Sequence, residues 1–135
     1  MLIVAAVGGN ALLRRGEPLT AGAQQRNALR AGRALAALAT GHQLVITHGN
    51  GPQVGLLALE SGTSGAAPAF PLDVLGAESQ GMVGYLLELA LRNELASRPV
   101  TTILGQVLVD PADTAFEHPS KPIGRFYARE ACDRL

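Results

Sequence analysis

Lysine is almost missing from this sequence: Lys121 stands alone against ten arginines. Cysteine is as scarce. Cys132 has no partner within the chain, which excludes an internal disulfide, fits a reducing compartment and makes the thiol read as incidental. Excess charge of either sign is absent too, since eleven basic residues balance eleven acidic ones. That removes the electrostatic argument for nucleic acid or an anionic membrane surface and leaves small molecules as the expected partners. No apolar run reaches the roughly 18 residues that span a bilayer. "MLIVAAVGG" lacks the preceding positive charge of a signal peptide, because Arg14 and Arg15 follow it instead. The expected location is the cytoplasm.

What is there suits a globular domain: 135 residues, 47% hydrophobic and 16% charged. Residues 2–7 form a continuous apolar run ended by Gly8 and Gly9, the pattern of a parallel strand covered on both faces. Alanine and leucine then dominate a helix expected over residues 21–39, with Thr20 as N-cap and Gly41 just past its end. A second buried strand is expected over 44–47, and Pro52 fits the first turn of a following helix. "SGTSGAAPAFP" at 61–71 reads as a loop. A long helix follows over about 73–96, with Met82, Tyr85, Leu86, Leu89 and Leu95 as its apolar stripe. Residues 100–109 read as a third strand. After Asp110 the periodicity fades, and no internal repeat is visible.

Alternating strands and helices predict an α/β fold, a mainly parallel sheet with helices packed on its faces. Ligands bind such sheets beyond the carboxyl ends of the strands. Both glycine clusters, "GGNAL" at 8–12 and "HGNGPQVG" at 48–55, fall there. Glycine lets successive amide N–H groups face one way, and such nests bind anions. Asn10 and Asn50 add side-chain amide donors. The plainer reading is a pair of tight strand-to-helix turns. Neither cluster matches a dinucleotide or P-loop pattern.

Lys121, in "HPSKPIG", is the other candidate, because a compact ammonium can approach a transferring phosphoryl oxygen as a point charge. Its solitude fits a coding preference for arginine equally well. His42, His48 and His118 lack metal-ligand spacing, so no metal site is expected of them, and His48 is expected to pack or hydrogen-bond at its turn. Asp73, Glu78 and Ser79 open a helix, where such groups also serve as caps.

Taken together, "GGNALLRRGEP", "ITHGNGPQVG", "PLDVLGAESQGMVGYLLE" and "HPSKPIGRFY" resemble the carbamate kinases of the amino-acid-kinase family. The resemblance implies a three-layer αβα sandwich. It also implies reversible phosphoryl transfer between ATP plus carbamate and ADP plus carbamoyl phosphate in arginine breakdown, with Mg²⁺ accompanying the nucleotide. In family terms Gly8, Gly9 and Asn10 face the nucleotide phosphates, while Gly49, Asn50 and Gly51 face carbamate and the transferred group. Lys121 is the implied catalytic lysine, from a segment leading into a protruding subdomain. A homodimer is implied for the complete enzyme, with the long helix from Asp73 as a candidate contact.

The sequence departs from the family in two ways. Arg125 stands where members carry proline after KPIG. The chain is also less than half a member's length. Residues 1–110 would then be the acceptor-side part and 111–135 the start of the protruding subdomain, with the nucleotide-binding half absent. The chain reads as an N-terminal fragment, inactive alone. The alternatives are a non-catalytic dimerisation or binding remnant, and another small-acid kinase of the same family.

Overall fold

The computed structural model describes residues 1–14, 16–63, 70–121 and 129. Arg125 and Cys132 lie outside the described residues, as does the middle of the loop expected over 61–71.

Strand β1 is Leu2–Val7 and strand β2 is Gln43–His48. They pair in parallel, in register from Leu2 opposite Gln43 to Val7 opposite His48. A parallel pair needs a crossover, and α2, Ala21–Ala39, supplies it. The Thr20 hydroxyl accepts the Ala23 N–H at 3.3 Å and caps its start. Its end follows the expected chemistry too: Gly41, at φ 75°, takes the left-handed conformation that a side chain would resist. Helix α1, Gly9–Leu12, is a single turn after β1, and α3, Gly51–Thr63, follows β2 with Pro52 in its first turn. Helix α4, Leu72–Glu94, is the longest element.

One face of the two-stranded sheet is packed by helices. Val7, Leu12, Ala28, Leu35, Ala36, Val83, Leu87 and Leu91 form the core, with Ala5, Leu44 and Ile46 against it. Each fully buried leucine contributes roughly 1.5–3 kcal/mol. Helices α2 and α4 cross closely at Gly32, where a methyl group would stand 2.7 Å from Ala90 Cβ.

The structure corrects three expectations. The first concerns the α4 stripe, of which Leu86 and Leu95 do pack against the core while its centre lies beside the expected line. Leu75, Ser79, Val83, Leu87 and Leu91 are buried, at a steady spacing of four, whereas Tyr85 is exposed. Apolar residues surround this helix, so composition could not say which line faced the core.

The second concerns the sheet's cover. Leu2, Val4 and Val45 are exposed, so among the described residues only one face of the strands is covered. The third concerns residues 100–109, which form no strand. A strand exists only where an edge pairs with it, and a groove of about 610 Å³ separates residues 99–103 from β2. This segment is attached to α4 instead. Arg92 donates to the Val100 carbonyl at 2.7 Å, Thr102 donates to Glu88 at 2.6 Å, and Gly105 N–H donates to Gln80 at 3.2 Å. Ile103, Val107 and Leu108 are left exposed.

Candidate functional site

The parallel register brings the carboxyl ends of β1 and β2 side by side, and both glycine turns leave from that end. Gly49 N–H donates to the Val7 carbonyl at 3.2 Å, extending the ladder by one rung into the second turn. The turns then nearly touch. A methyl group on Gly49 would stand 3.9 Å from the Gly9 nitrogen, and one on Gly9 would stand 3.8 Å from Pro52 Cδ.

Among the described residues only Gly16 and Gly41 have positive φ, so Gly8, Gly9, Gly49 and Gly51 do not use the left-handed region. What the glycines provide is space: nothing lies within 4 Å of where a Cβ would stand on Gly8 or Gly51. Gly8 and Gly51 are exposed. No hydrogen-bond acceptor among the described residues meets the N–H of Gly8, Gly9, Asn50 or Gly51. Bare, unspent donors thus border open volume on both turns, an arrangement suited to an anion.

Buried amides hold the two turns together. Asn27 of α2 donates to the Leu12 carbonyl at 3.2 Å and to Glu17 at 2.6 Å. One helical turn earlier, Gln24 accepts from Gln53 of α3 at 2.9 Å. Helix α2 therefore grips the segment after the first turn with one residue and the second turn's helix with another. Hydrogen bonds from the Arg14 N–H and from Asn27 hold the Glu17 carboxyl below its ordinary range. Sequence reading missed this cluster. Its signal was the pair of polar residues Gln24 and Asn27, three apart on the alanine-lined face of α2.

Asn50 behaves differently from expectation. Its side-chain amide donates to Ser79 Oγ at 2.7 Å and, more weakly, to the Gly76 carbonyl at 3.4 Å. Those donors are turned to α4, leaving the backbone N–H for a ligand. The Asn10 side chain lies outside the described residues. His48 Nδ1 sits 3.4 Å from the Gly49 carbonyl, a local contact at its turn as expected. Lys121 is exposed and makes no hydrogen bond or ion pair with the other described residues.

In the groove beside β2, Glu88 and Arg98 are already engaged. Glu88 is bound by Thr102 and Arg92, and Arg98 donates to the Ala39 and His42 carbonyls. With those two charges spent on the protein itself, the groove offers less of the converging charge that an anion site uses. The glycine turns keep their donors unspent.

A strand-end anion cradle inside an α/β unit is the framework of several phosphotransferases, and the comparisons narrow it. The chain belongs to the amino acid kinase family, whose model matches residues 1–120. It is 52% identical to a carbamate kinase of Haemophilus influenzae, over all of this chain and 44% of that protein. Among solved structures, the carbamate kinase of Giardia superposes with a TM-score of 0.88 at 38% identity, over 96% of this chain and 45% of that one. A Giardia lamblia carbamate kinase bound to AMP-PNP superposes at 0.81 and 37% identity, over 98% of this chain and 44% of that one. The chain thus spans less than half the length of the relatives it matches.

Proposed function

We propose that this chain is the acceptor-side part of a carbamate kinase, residues 1–110, followed by the start of a subdomain over 111–135. The complete enzyme would move a phosphoryl group reversibly between ATP plus carbamate and ADP plus carbamoyl phosphate. One observation carries the reading: at two neighbouring turns Gly8 and Gly51 leave open volume before unspent N–H groups. Phosphoryl transfer asks for alignment and neutralised charge more than covalent help. Fixed amide dipoles supply both at little reorganisation cost.

In this reading Gly8, Gly9 and Asn10 receive the nucleotide phosphates, while Gly49, Asn50 and Gly51 receive carbamate and the group in flight. The AMP-PNP bound to the Giardia lamblia relative supports a nucleotide substrate. Neither turn carries a carboxylate. Magnesium would therefore arrive with the nucleotide, held by phosphate oxygens and adding positive charge to the substrate. Lys121 would bring a further charge from the 111–121 segment. Exposed Leu72 and Tyr85 on α4 suit a homodimer contact, and a cytoplasmic setting fits the lone cysteine.

The test joins this chain to the remaining part of the Haemophilus influenzae carbamate kinase and follows ATP formation from ADP and carbamoyl phosphate. Activity is expected from the joined protein, with Lys121→Ala lowering kcat by about 10²-fold or more and KM changing little. A joined protein that folds, binds nucleotide and makes no ATP would remove the proposal. A panel of other small acids separates carbamate kinase from a sister activity.

A second reading has its own support in the uncovered sheet face: the 135-residue chain alone serves as a non-catalytic assembly partner. Light scattering should then find dimers that bind no nucleotide. A magnesium-dependent affinity for ATP in the isolated chain would count against it.

A further inference from the structure

The second turn is a Gly-Asn-Gly sequence, intrinsically among the least constrained a chain can have. Gly51 has no neighbour where a side chain would stand, Gly49 is tied by its N–H to Val7 and touched at its carbonyl by His48, and the Asn50 carbonyl accepts from Val54 N–H at 2.9 Å. Yet donors aimed at a transferring group help only when they are already in place. The bond from Val54 ties the middle residue to its own helix; a second tie from another element would fix the turn against the rest of the fold.

Ser79 is the group in position to do so. It is fully buried on α4, with 0% of its surface exposed. Its hydroxyl donates to the Gly76 carbonyl at 2.8 Å, so its oxygen is left to accept, and it accepts the Asn50 amide at 2.7 Å. That order of donors settles the orientation of the Asn50 side chain: its NH₂ faces α4. We propose that Ser79 is a positioning residue for phosphoryl transfer, holding the backbone of the second turn in place through the Asn50 side chain. Asn50 then serves the site by its main chain, and α4 becomes a working part of the site through Ser79. This inference rests on the functional reading above for its catalytic half, though not for the clamp itself.

The clamp is testable in this chain as it stands. In Ser79→Ala the Asn50 side-chain NH₂ should exchange with solvent at least tenfold faster by NMR. The backbone amides of residues 49–51 should shift, while those of 2–7 should not. In the joined enzyme, Ser79→Ala should lower kcat roughly ten- to hundredfold with KM within about threefold. Asn50→Ala should do the same, and the double variant should be no slower than the worse single one, because both changes remove one connection. Multiplying effects would overturn the proposal, as would a Ser79→Ala enzyme with unchanged kcat. So would a loss of melting temperature alone, which would make Ser79 a packing residue. If the unmodified joined enzyme proves inactive, the functional reading fails, and the NMR arm still decides the clamp.

Discussion

The two faces of the β1–β2 sheet are built from the same kinds of residue and meet opposite fates. Ala5, Val7, Leu44 and Ile46 look inward to the helices, while Leu2, Val4 and Val45 look out, Val4 with 65% of its surface exposed. Alternation along a strand allows each face its own environment. Apolar residues on both faces are the mark of a sheet buried between two layers. The packed face shows a layer in place. The open one, with the exposed apolar segment beyond residue 102, shows surface of the kind a second layer covers. The chain's span of under half its relatives' length agrees with that.

The sharpest way to break this comparison is to truncate one residue on each side. Leu87, 3% exposed, should cost about 2–5 kcal/mol of stability as Leu87→Ala. Val4→Ala should stay within about 0.5 kcal/mol in this chain. Denaturant midpoints measure both. Equal losses would mean that the outer face is covered in solution. In the joined enzyme Val4→Ala should become costly, because the face would then be buried.

A smaller contrast lies within the helical layer. Gly32→Ala presses a methyl group against Ala90 backbone as well as its side chain, and overpacking there should cost about 1–3 kcal/mol. Gly84→Ala meets only the Thr102 side chain, on a segment held to α4 by a few hydrogen bonds. That segment should swing away. The gain of up to about 1 kcal/mol in helix propensity should leave stability near neutral. Calorimetry on the pair would show which contacts are packed and which are only resting.

Asn27→Leu probes the link between α2 and the first turn. It strands the buried Leu12 carbonyl, at about 1–3 kcal/mol. It should also raise the Glu17 pKa, visible by NMR titration, because it removes one of the hydrogen bonds that lower it.

The gentlest effect is acid sensitivity of the segment resting on α4. Hydrogen bonds from the Thr102 hydroxyl and from Arg92 hold Glu88 below its ordinary pKa. A lowered folded-state pKa means that the contribution is complete above the unfolded value and fades as pH falls through the folded one. The chain should therefore loosen below the ordinary carboxylate value of about 4.3. Glu88→Gln should flatten that limb, as read from the amide hydrogen exchange of residues 100–105 against pH.

Much of the fold was legible because its signals are local. A six-residue apolar run, a threonine before alanines and a glycine after them determine a strand, a helix start and a helix stop with little help from elsewhere. The α4 stripe was legible as a helix but not as a face, since leucine, methionine, tyrosine and valine occur all round it. The candidate site divided in the same way. Its glycines announced themselves, whereas Ser79 and the Gln24–Asn27–Gln53 cluster did not, because polar residues of those kinds also occur as caps and on solvated faces.

The chain's order of residues was enough to set β1 and β2, the start and stop of α2, and that two glycine turns leave the same sheet end. Those outcomes depend on backbone angles and short-range hydrogen bonds. Tertiary structure alone decided that the turns touch, that Asn50 spends its amide on α4, and that one face of the sheet finds cover while its twin does not. Such outcomes depend on which surfaces meet across dozens of residues, and a pattern read along the chain contains no distance between them.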